Sequence, residues 1–458
     1  IGYVCIAMEH PLKVNKAATA LLLSSLLWVI YIFFAQTQLP TLEEFKVFAE
    51  SPENLHLSLY EQVIAYVTGI QIIEHLGDVA QILFFLIGAM TIVELVDVHG
   101  GFSIITDKIT TKNKRKLLWI IAFVTFFLSA ILDNLTTSIV MVMLLRKLVS
   151  NQQERWIYAS VIILAANSGG AFSPIGDVTT IMLWIGGNVT TGTIIPELFL
   201  PSLVSVVIPV TLLQRFLKGE IVSPSKDSIS LSGHAAASIV SKNEKILLFC
   251  LGVGALIFVP IFKGITHLPP FIGILFGLSI IWIYTEIMYH RKKDVAESSK
   301  ARITSVLSRI DTTTILFFLG ILMAVAVLQV SGILSMFSLV LDEYVGNFYL
   351  IDILIGLLSS VVDNVPLVAG AMGMYPIAID PASIYASGGA FWVFLAYCAG
   401  VGGSILIIGS AAGVVVMGLE KMNFIWYMKK ISLVTLLGYL IGAAVYVIQM
   451  SVIVPLLK

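Results

Sequence analysis

Apolar runs of about 20 residues recur along the chain, with polar positions gathered between them, the pattern of successive membrane-spanning α-helices. Residues 17–35, 79–98, 198–214, 246–262, 270–289, 313–335 and 431–455 are such runs. Residues 156–190 and 390–420 are longer apolar stretches interrupted by glycine and polar residues. Residues 57–76 look amphipathic and read as a helix lying in the outer interface. Residues 1–8 are apolar, too short to span, and read as the end of a first crossing.

Lysine and arginine orient these runs, because cytoplasmic loops collect them. An inside placement of the clusters around Lys13, Lys114, Arg146, Arg215, Lys242, Arg291 and Lys429 leaves only Lys46, Lys263 and Lys458 of the 27 outside. That scheme has ten crossings. Two segments do not fit as crossings. Residues 117–147 have basic flanks at both ends, and residues 349–376 have acidic or neutral flanks (Asp342, Glu343, Asp380) at both ends. A chain that enters and leaves on the same side satisfies each, so both are expected to be re-entrant hairpins, turning at Asp133-Asn134 and Asp363-Asn364.

The two halves echo each other. Ile82-Leu83-Phe84-Phe85-Leu86 returns as Ile315-Leu316-Phe317-Phe318-Leu319, Asp133-Asn134 as Asp363-Asn364, and Gly169-Gly170 with Gly176 as Gly402-Gly403 with Gly409, at offsets of 233, 230 and 233 residues. Each element enters from one side in its first copy and from the other in its second. The expected fold is therefore an all-α polytopic membrane protein of two inverted-topology repeats, each with a re-entrant hairpin and a broken transmembrane helix. The repeats are assigned to 1–217 and 245–458, joined by a polar cytoplasmic linker at 218–244. The first broken helix, about 156–190, is interrupted at Ala166–Asp177; the second, about 390–420, at Ala399–Ser404 and Gly409–Gly413. Glycine and proline disfavour a helix interior by about 1 and 3 kcal/mol each, so these clusters predict unwound breaks. Paired broken spans in corresponding positions point to a transport site.

Composition closes off other classes. Apolar residues make up 58% of the chain, charged residues 12%, and mean hydropathy is +0.97. Soluble proteins are about 25% charged, so a soluble enzyme is excluded, as are disorder, collagen and coiled coil. Cys5, Cys250 and Cys398 are far apart in apolar surroundings, which indicates neither a disulfide framework nor a zinc site. No basic, aromatic-interleaved domain exists to bind nucleic acid.

Three carboxylates, Asp133, Asp177 and Asp363, are expected deep in the bilayer. An aspartate there costs at least about 2.5–3.5 kcal/mol unless it is paired or hydrated. No lysine or arginine sits in the deep segments, so a cation or a proton must neutralise them. The expected site contains Asn134, Thr136, Thr137, Asn167, Ser168, Thr179, Thr180, Ser359, Asn364, Ser404 and Ser410 beside the three acids, an all-oxygen set suited to hard cations such as Na⁺ or Li⁺. Buried carboxylates also hold protons more tightly, the more so beside one another. A site that holds either a cation or protons is an exchanger, and its coupled carboxylates titrate as a set.

Asp133-Asn134-Leu135-Thr136-Thr137, Ser173–Thr180 (SPIGDVTT), Asp363-Asn364-Val365-Pro366, Cys398–Gly418 (CAGVGGSILIIGSAAGVVVMG) and Glu9-His10-Pro11-Leu12-Lys13 closely resemble the NhaD-type sodium/proton antiporters of the ion transporter superfamily. The resemblance covers nearly the whole chain. It implies a multi-pass Na⁺(Li⁺)/H⁺ antiporter of the bacterial inner membrane, a homodimer with a scaffold and a mobile transport part, with no cofactor besides the transported ions and no enzymatic activity. The second repeat departs from the first, with Val365-Pro366 where the first has Leu135-Thr136, and Ser410 where the first has Asp177. The main cation site is therefore expected nearer the first repeat, with Na⁺ at Asp133, Asn134, Asp177, Asp363 and Asn364.

The same residues have structural readings. Asp133, Asp177 and Asp363 can cap half-helices, and Asn167 and Ser168 can satisfy backbone groups released by the breaks. His10, His75, His99, His267 and His290 fall near membrane edges, where a solvated histidine is ordinary. Trp28, Trp156, Trp282 and Trp426 read as interfacial anchors. The nearest rival function is a Na⁺-coupled carrier of dicarboxylate, citrate or arsenite oxyanion, which three deep acids and no deep base disfavour. An intramembrane aspartyl protease is disfavoured too. Pro174-Ile175-Gly176-Asp177 lacks the first glycine of the Gly-x-Gly-Asp motif, and neither Asp133 nor Asp363 follows tyrosine.

Overall fold

A computed structural model describes residues 14–106, 109, 111–221, 239–292 and 302–453. The Glu9–Lys13 motif, Cys5, Lys108, Lys226, Lys293, Lys458 and most of the 218–244 linker lie outside these residues. Every named element is a helix. Among the described residues there is no β-strand, only isolated bridges between Asn113 and Glu220 and between Ala378 and Ala386.

The first helices are α1 (Lys16–Gln38), α2 (Glu43–Ala49), α3 (Leu59–Tyr66) and α4 (Ile72–Val98). Ser58 and Glu61 close a capping box that starts α3, which satisfies two otherwise orphaned backbone donors. Residues 57–76 do not form a separate interfacial helix. A π turn at Val67–Gln71 joins α3 to α4, so one helical run extends from Leu59 to Val98, 40 residues. Gly69 alone does not stop it, because the extra residue is absorbed by the π turn rather than by a break.

Next come α5 (Lys114–Leu132), α6 (Asn134–Leu148), α7 (Gln152–Ala171), α8 (Val178–Ile185), α9 (Thr191–Leu213), α10 (Lys242–Thr266) and α11 (Pro270–Arg291). The last are α12 (Thr312–Val330), α13 (Ile333–Tyr344), α14 (Phe348–Ser359), α15 (Asn364–Met374), α16 (Ala390–Gly402), α17 (Ala411–Glu420) and α18 (Ser432–Ile448). Among the described residues, eight helices are long and apolar enough to cross a membrane. Seven of them are expected crossings, and the eighth is α5, the first arm of the first expected hairpin. The two interrupted crossings are not among them: α7 has the length but too many polar residues, and α8, α16 and α17 are too short. The protein is a multi-pass membrane protein.

The chain forms two compact units. The first comprises Ile1–Phe84, Asp311–Asn347 and Val365–Pro376. Its core gathers Tyr31, Leu39, Phe45, Val63, Tyr66 and Val327, with Phe45 and Tyr66 edge to face at 5.3 Å. Here α1 packs on α12, and Trp28 donates its indole N–H to the Met323 carbonyl at 3.1 Å.

The second unit comprises Phe85–Ile310, Phe348–Asn364 and Ile377–Lys458. Within it α7 is buried at every residue from Tyr158 to Ala171, and α16 at every residue from Phe391 to Gly402. Each packs against the helix that leads to an aspartate-bearing tip, α7 on α5 and α16 on α14. The two packings match residue for residue. A Cβ on Gly169 would overlap the Phe126 carbonyl, and one on Gly402 would overlap the Gly356 carbonyl. Ser129 donates to the Ala166 carbonyl at 2.6 Å, and Ser359 to the Ala399 carbonyl at 2.8 Å. These partners are separated by the 230- and 233-residue offsets of the sequence echo.

Buried polar pairs fix the ends of these helices. Glu420, fully buried, accepts from Arg146 Nε at 2.8 Å and Arg155 Nε at 3.0 Å, and its backbone carbonyl accepts from Trp156 at 3.1 Å. His99 is not solvated. It is fully buried, with Nδ1 on the Leu95 carbonyl at 2.6 Å and Nε2 on the Tyr289 hydroxyl at 2.7 Å, because Tyr289 of α11 faces the end of α4.

Overpacking a close helix contact costs roughly 1–3 kcal/mol. Gly169→Ala and Gly402→Ala are each expected to lower the thermal unfolding temperature in detergent, whereas Gly254→Ala, with open space around its Cα, is expected to leave it unchanged. Equal melting of all three would contradict the packing described.

Candidate functional site

The tip between α5 and α6 is a single residue, Asp133. Its φ of 115° lies in a region that essentially only glycine occupies, a strain of order 1–3 kcal/mol. The side chain compensates by capping α6. It accepts from the Thr136 amide at 2.8 Å and from the Thr136 hydroxyl at 2.8 Å. Asp133 remains half-buried while Asn134 beside it is buried.

Asp177 starts α8 after the break at 172–177. It is buried. Its Oδ1 accepts from the Thr179 amide at 3.1 Å, and Thr180 closes the cap by donating to the Asp177 carbonyl at 2.9 Å. The capping reading is thus correct for both residues, and it leaves Asp177 Oδ2 for other partners. Asn134 Nδ2 donates to it at 2.8 Å and Asn364 Nδ2 at 3.4 Å. One carboxylate oxygen on the first broken helix therefore receives an amide from each aspartate-asparagine tip. Asp133 and Asp363 both lie within electrostatic range of it.

Asn167 joins this knot to the second broken helix. Its Oδ1 accepts from Asn134 at 3.0 Å, and its Nδ2 donates to Ser404 and Ser410, each at 2.9 Å. Ser410 also caps α17 through the Gly413 amide at 3.2 Å. Ser410 thus caps its helix as Asp177 caps α8, but without a charge.

Expected site residues fall into two groups. Asn134, Asn167, Asp177, Thr179, Thr180, Asn364, Ser404 and Ser410 form one continuous hydrogen-bonded set, while Asp133 with Thr136 forms a separate pair, and Asp133 and Asp363 lie within electrostatic range of Asp177. Thr137 and Thr179 are fully buried, and neither hydroxyl oxygen has a hydrogen-bond partner. Two orphaned oxygens among carboxylates are what a set of hard-cation ligands offers. Ser359 and Ser168 stand behind the set. Ser359 spends its proton on Ala399, and Ser168 accepts from Ser205 at 2.9 Å. Among the described residues no ion pair involves Asp133 or Asp177, and the arginines of α6 and α7 are engaged with Glu420.

Sequence reading missed Ser129, Ser205 and Tyr427, whose hydroxyl donates to the Ser404 carbonyl at 2.8 Å. Ser129 was detectable, since Ser359 stands 230 residues further on. Nothing in the local pattern marks Ser205 or Tyr427.

A family model described as CitMHS, citrate transporter, matches residues 3–393. The chain is 44% identical over 446 residues to sodium/proton antiporter 1 of Arabidopsis thaliana, covering 97% of this chain and 70% of that protein. It is 41% identical over 446 residues to sodium/proton antiporter 2 of the same plant, covering 97% of each. Against the Na⁺/H⁺ antiporter NhaD of Vibrio cholerae identity is 29% over 482 residues, covering 98% of this chain and 90% of that protein. The chain belongs to the NhaD-type antiporter family. The motifs at Asp133, Asp177, Asp363 and Cys398–Gly418 that carried the resemblance are the residues that build the knot described above. Family and relatives are transporters.

A buried polar group left unpaired costs about 1–3 kcal/mol. Asn167→Ala removes three buried hydrogen bonds at once, from Asn134 and to Ser404 and Ser410, so a loss of about 2 kcal/mol or more is expected in chemical or thermal unfolding. Unchanged stability would mean that Asn167 does not hold the two broken helices together.

Proposed function

We propose that the protein exchanges Na⁺ or Li⁺ for H⁺ across an ion-energised membrane by alternating access, with Asp133, Asp177 and Asp363 holding the cation and protons in competition. The observation that carries this reading is the Asp177 knot: a buried carboxylate met by two tip amides, with a second acid capped beside it, two orphaned threonine oxygens and no basic partner for Asp133 or Asp177. An acid without a basic partner at such depth costs at least about 2.5–3.5 kcal/mol, so it takes up either a proton or a cation. The relatives named as sodium/proton antiporters support the same exchange.

The Asn134 and Asn364 amides stand on the side of Asp177 that a cation needs. Rotating each amide replaces its N–H₂ by its oxygen, which turns two donors to the carboxylate into two ligands for Na⁺ alongside Asp133, Asp177 and Asp363. Protonation of the acids reverses the change. The matched contacts of α5 with α7 and of α14 with α16 support two repeats of opposite topology, with the 117–147 and 349–376 segments re-entrant. Alternation then exposes one knot to either side in turn. Homodimerisation and a bacterial inner-membrane location belong to the same reading. The greater identity to two plant proteins makes any membrane with sodium and proton gradients equally suitable.

The rival is a carrier for citrate or a similar anion, the substrate named in the family model's description. Acids without basic partners repel such a substrate unless cations bind first. Asp133→Asn, Asp177→Asn and Asp363→Asn, each in everted vesicles, are expected to abolish Na⁺-dependent dissipation of ΔpH while the protein still elutes as a folded species. Wild-type exchange in all three would refute the assignment, and citrate uptake without any Na⁺-driven pH change would favour the rival.

A further inference from the structure

One buried acid takes no part in the knot. Asp352 lies in α14, is fully buried, and neither carboxyl oxygen has a hydrogen-bond partner. α14 packs tightly on α16 there, and a Cβ on Gly356 would overlap the Tyr439 hydroxyl. The titratable groups facing Asp352 are Cys398 of α16 and Tyr439 and Tyr446 of α18. Tyr397 of α16 adjoins Cys398, and Tyr349 of α14 and Glu197 of α9 adjoin Tyr446. The tyrosine hydroxyls are committed elsewhere: Tyr439 donates to the Ile353 carbonyl at 3.0 Å, Tyr397 to the Tyr439 carbonyl at 2.8 Å, and Tyr446 lies 3.3 Å from the Ala390 carbonyl.

An ionised carboxylate buried without a hydrogen-bond partner from the protein is among the costliest groups a fold can hold, whereas the neutral acid is far cheaper. Packing alone does not call for an acid. At the matching position of the first repeat, 230 residues earlier, stands Ala122, equally buried on α5. We propose that Asp352 is a proton-binding site separate from the cation site, protonated while α14 is seated on α16 and deprotonated when the two helices part and water reaches it. The proton moves between the carboxyl group and water, with no other bond made or broken. A group that binds its proton in one arrangement and not in the other makes the equilibrium between them depend on pH. Alkaline pH favours parting. Since α14 leads to the tip that carries Asp363 and Asn364, the Asp352 proton biases the position of cation ligands, a consequence that rests on the exchange reading above.

The test uses the full chain in detergent. Infrared spectra of the wild type are recorded at acid and alkaline pH, with and without saturating Na⁺. The acids of the knot are expected to lose their protonated-carboxyl bands when Na⁺ binds. A further band, insensitive to Na⁺, is expected to persist until the pH is raised and to be missing in Asp352→Asn. Absence of any Na⁺-insensitive band overturns the proposal even if Asp352→Asn fails to fold. Failure of every band to respond to Na⁺ counts instead against the exchange reading and leaves the Asp352 band to be scored by itself. With Cys5 and Cys250 changed to serine, labelling of Cys398 by a membrane-permeant maleimide is expected to rise with pH several-fold more steeply in the Asp352 protein than in Asp352→Asn. Identical pH profiles would contradict the coupling to helix parting.

Discussion

Asp177 Oδ2 is the atom on which the rest depends. It accepts an amide from Asn134 and another from Asn364, and Asn134 in turn is held by Asn167. A carboxylate this deep is stable only if donors, protons or a cation compensate it. The break between α7 and α8 places Asp177 where Asn134 and Asn364 of the two tips reach it. Unwinding releases the Asp177 cap, the Ser410 cap and the turn carbonyls at one place, and the glycine contacts at Gly169 and Gly402 let the helices behind the tips approach closely enough to support them.

That arrangement explains the inequality of the two halves. Ser410 caps its half-helix as Asp177 does, yet carries no charge. Val365-Pro366 replaces the Leu135-Thr136 that anchors Asp133. Asn364 donates to Asp177, Ser404 and Ser410 accept from Asn167, and Asp363 lies within electrostatic range of Asp177.

Much of this was legible in the sequence because the constraints are local or periodic. Apolar run lengths mark the long apolar helices and the constant offset relates Asp133 to Asp363, but the glycine clusters mark the breaks only approximately: Gly169, Gly170 and Gly402 lie inside α7 and α16 as close-packing positions, and the chain unwinds after them, at 172–177 and 403–410. The joined helix from Leu59 to Val98 was not legible, because a π turn at Val67–Gln71 leaves no composition signal that distinguishes it from an end. The burial of His99 escaped for a similar reason: its partner Tyr289 is 190 residues away. The role of Asn167 was open between backbone repair and ligation, and the structure shows a third role, a bridge from Asn134 to Ser404 and Ser410 that only tertiary packing reveals.

The account stands on competition between sodium ions and protons for the same carboxylates. Adding Na⁺ to the purified protein in weakly buffered detergent, with the released protons and the bound sodium counted together across a pH series, tests it most directly. Competition predicts proton release on sodium addition wherever the carboxylates are protonated, fading on the alkaline side of the titration, and a sodium affinity that weakens up to about tenfold per pH unit on the acid side if one proton exchanges for one ion. Sodium binding without proton release at any pH would contradict it.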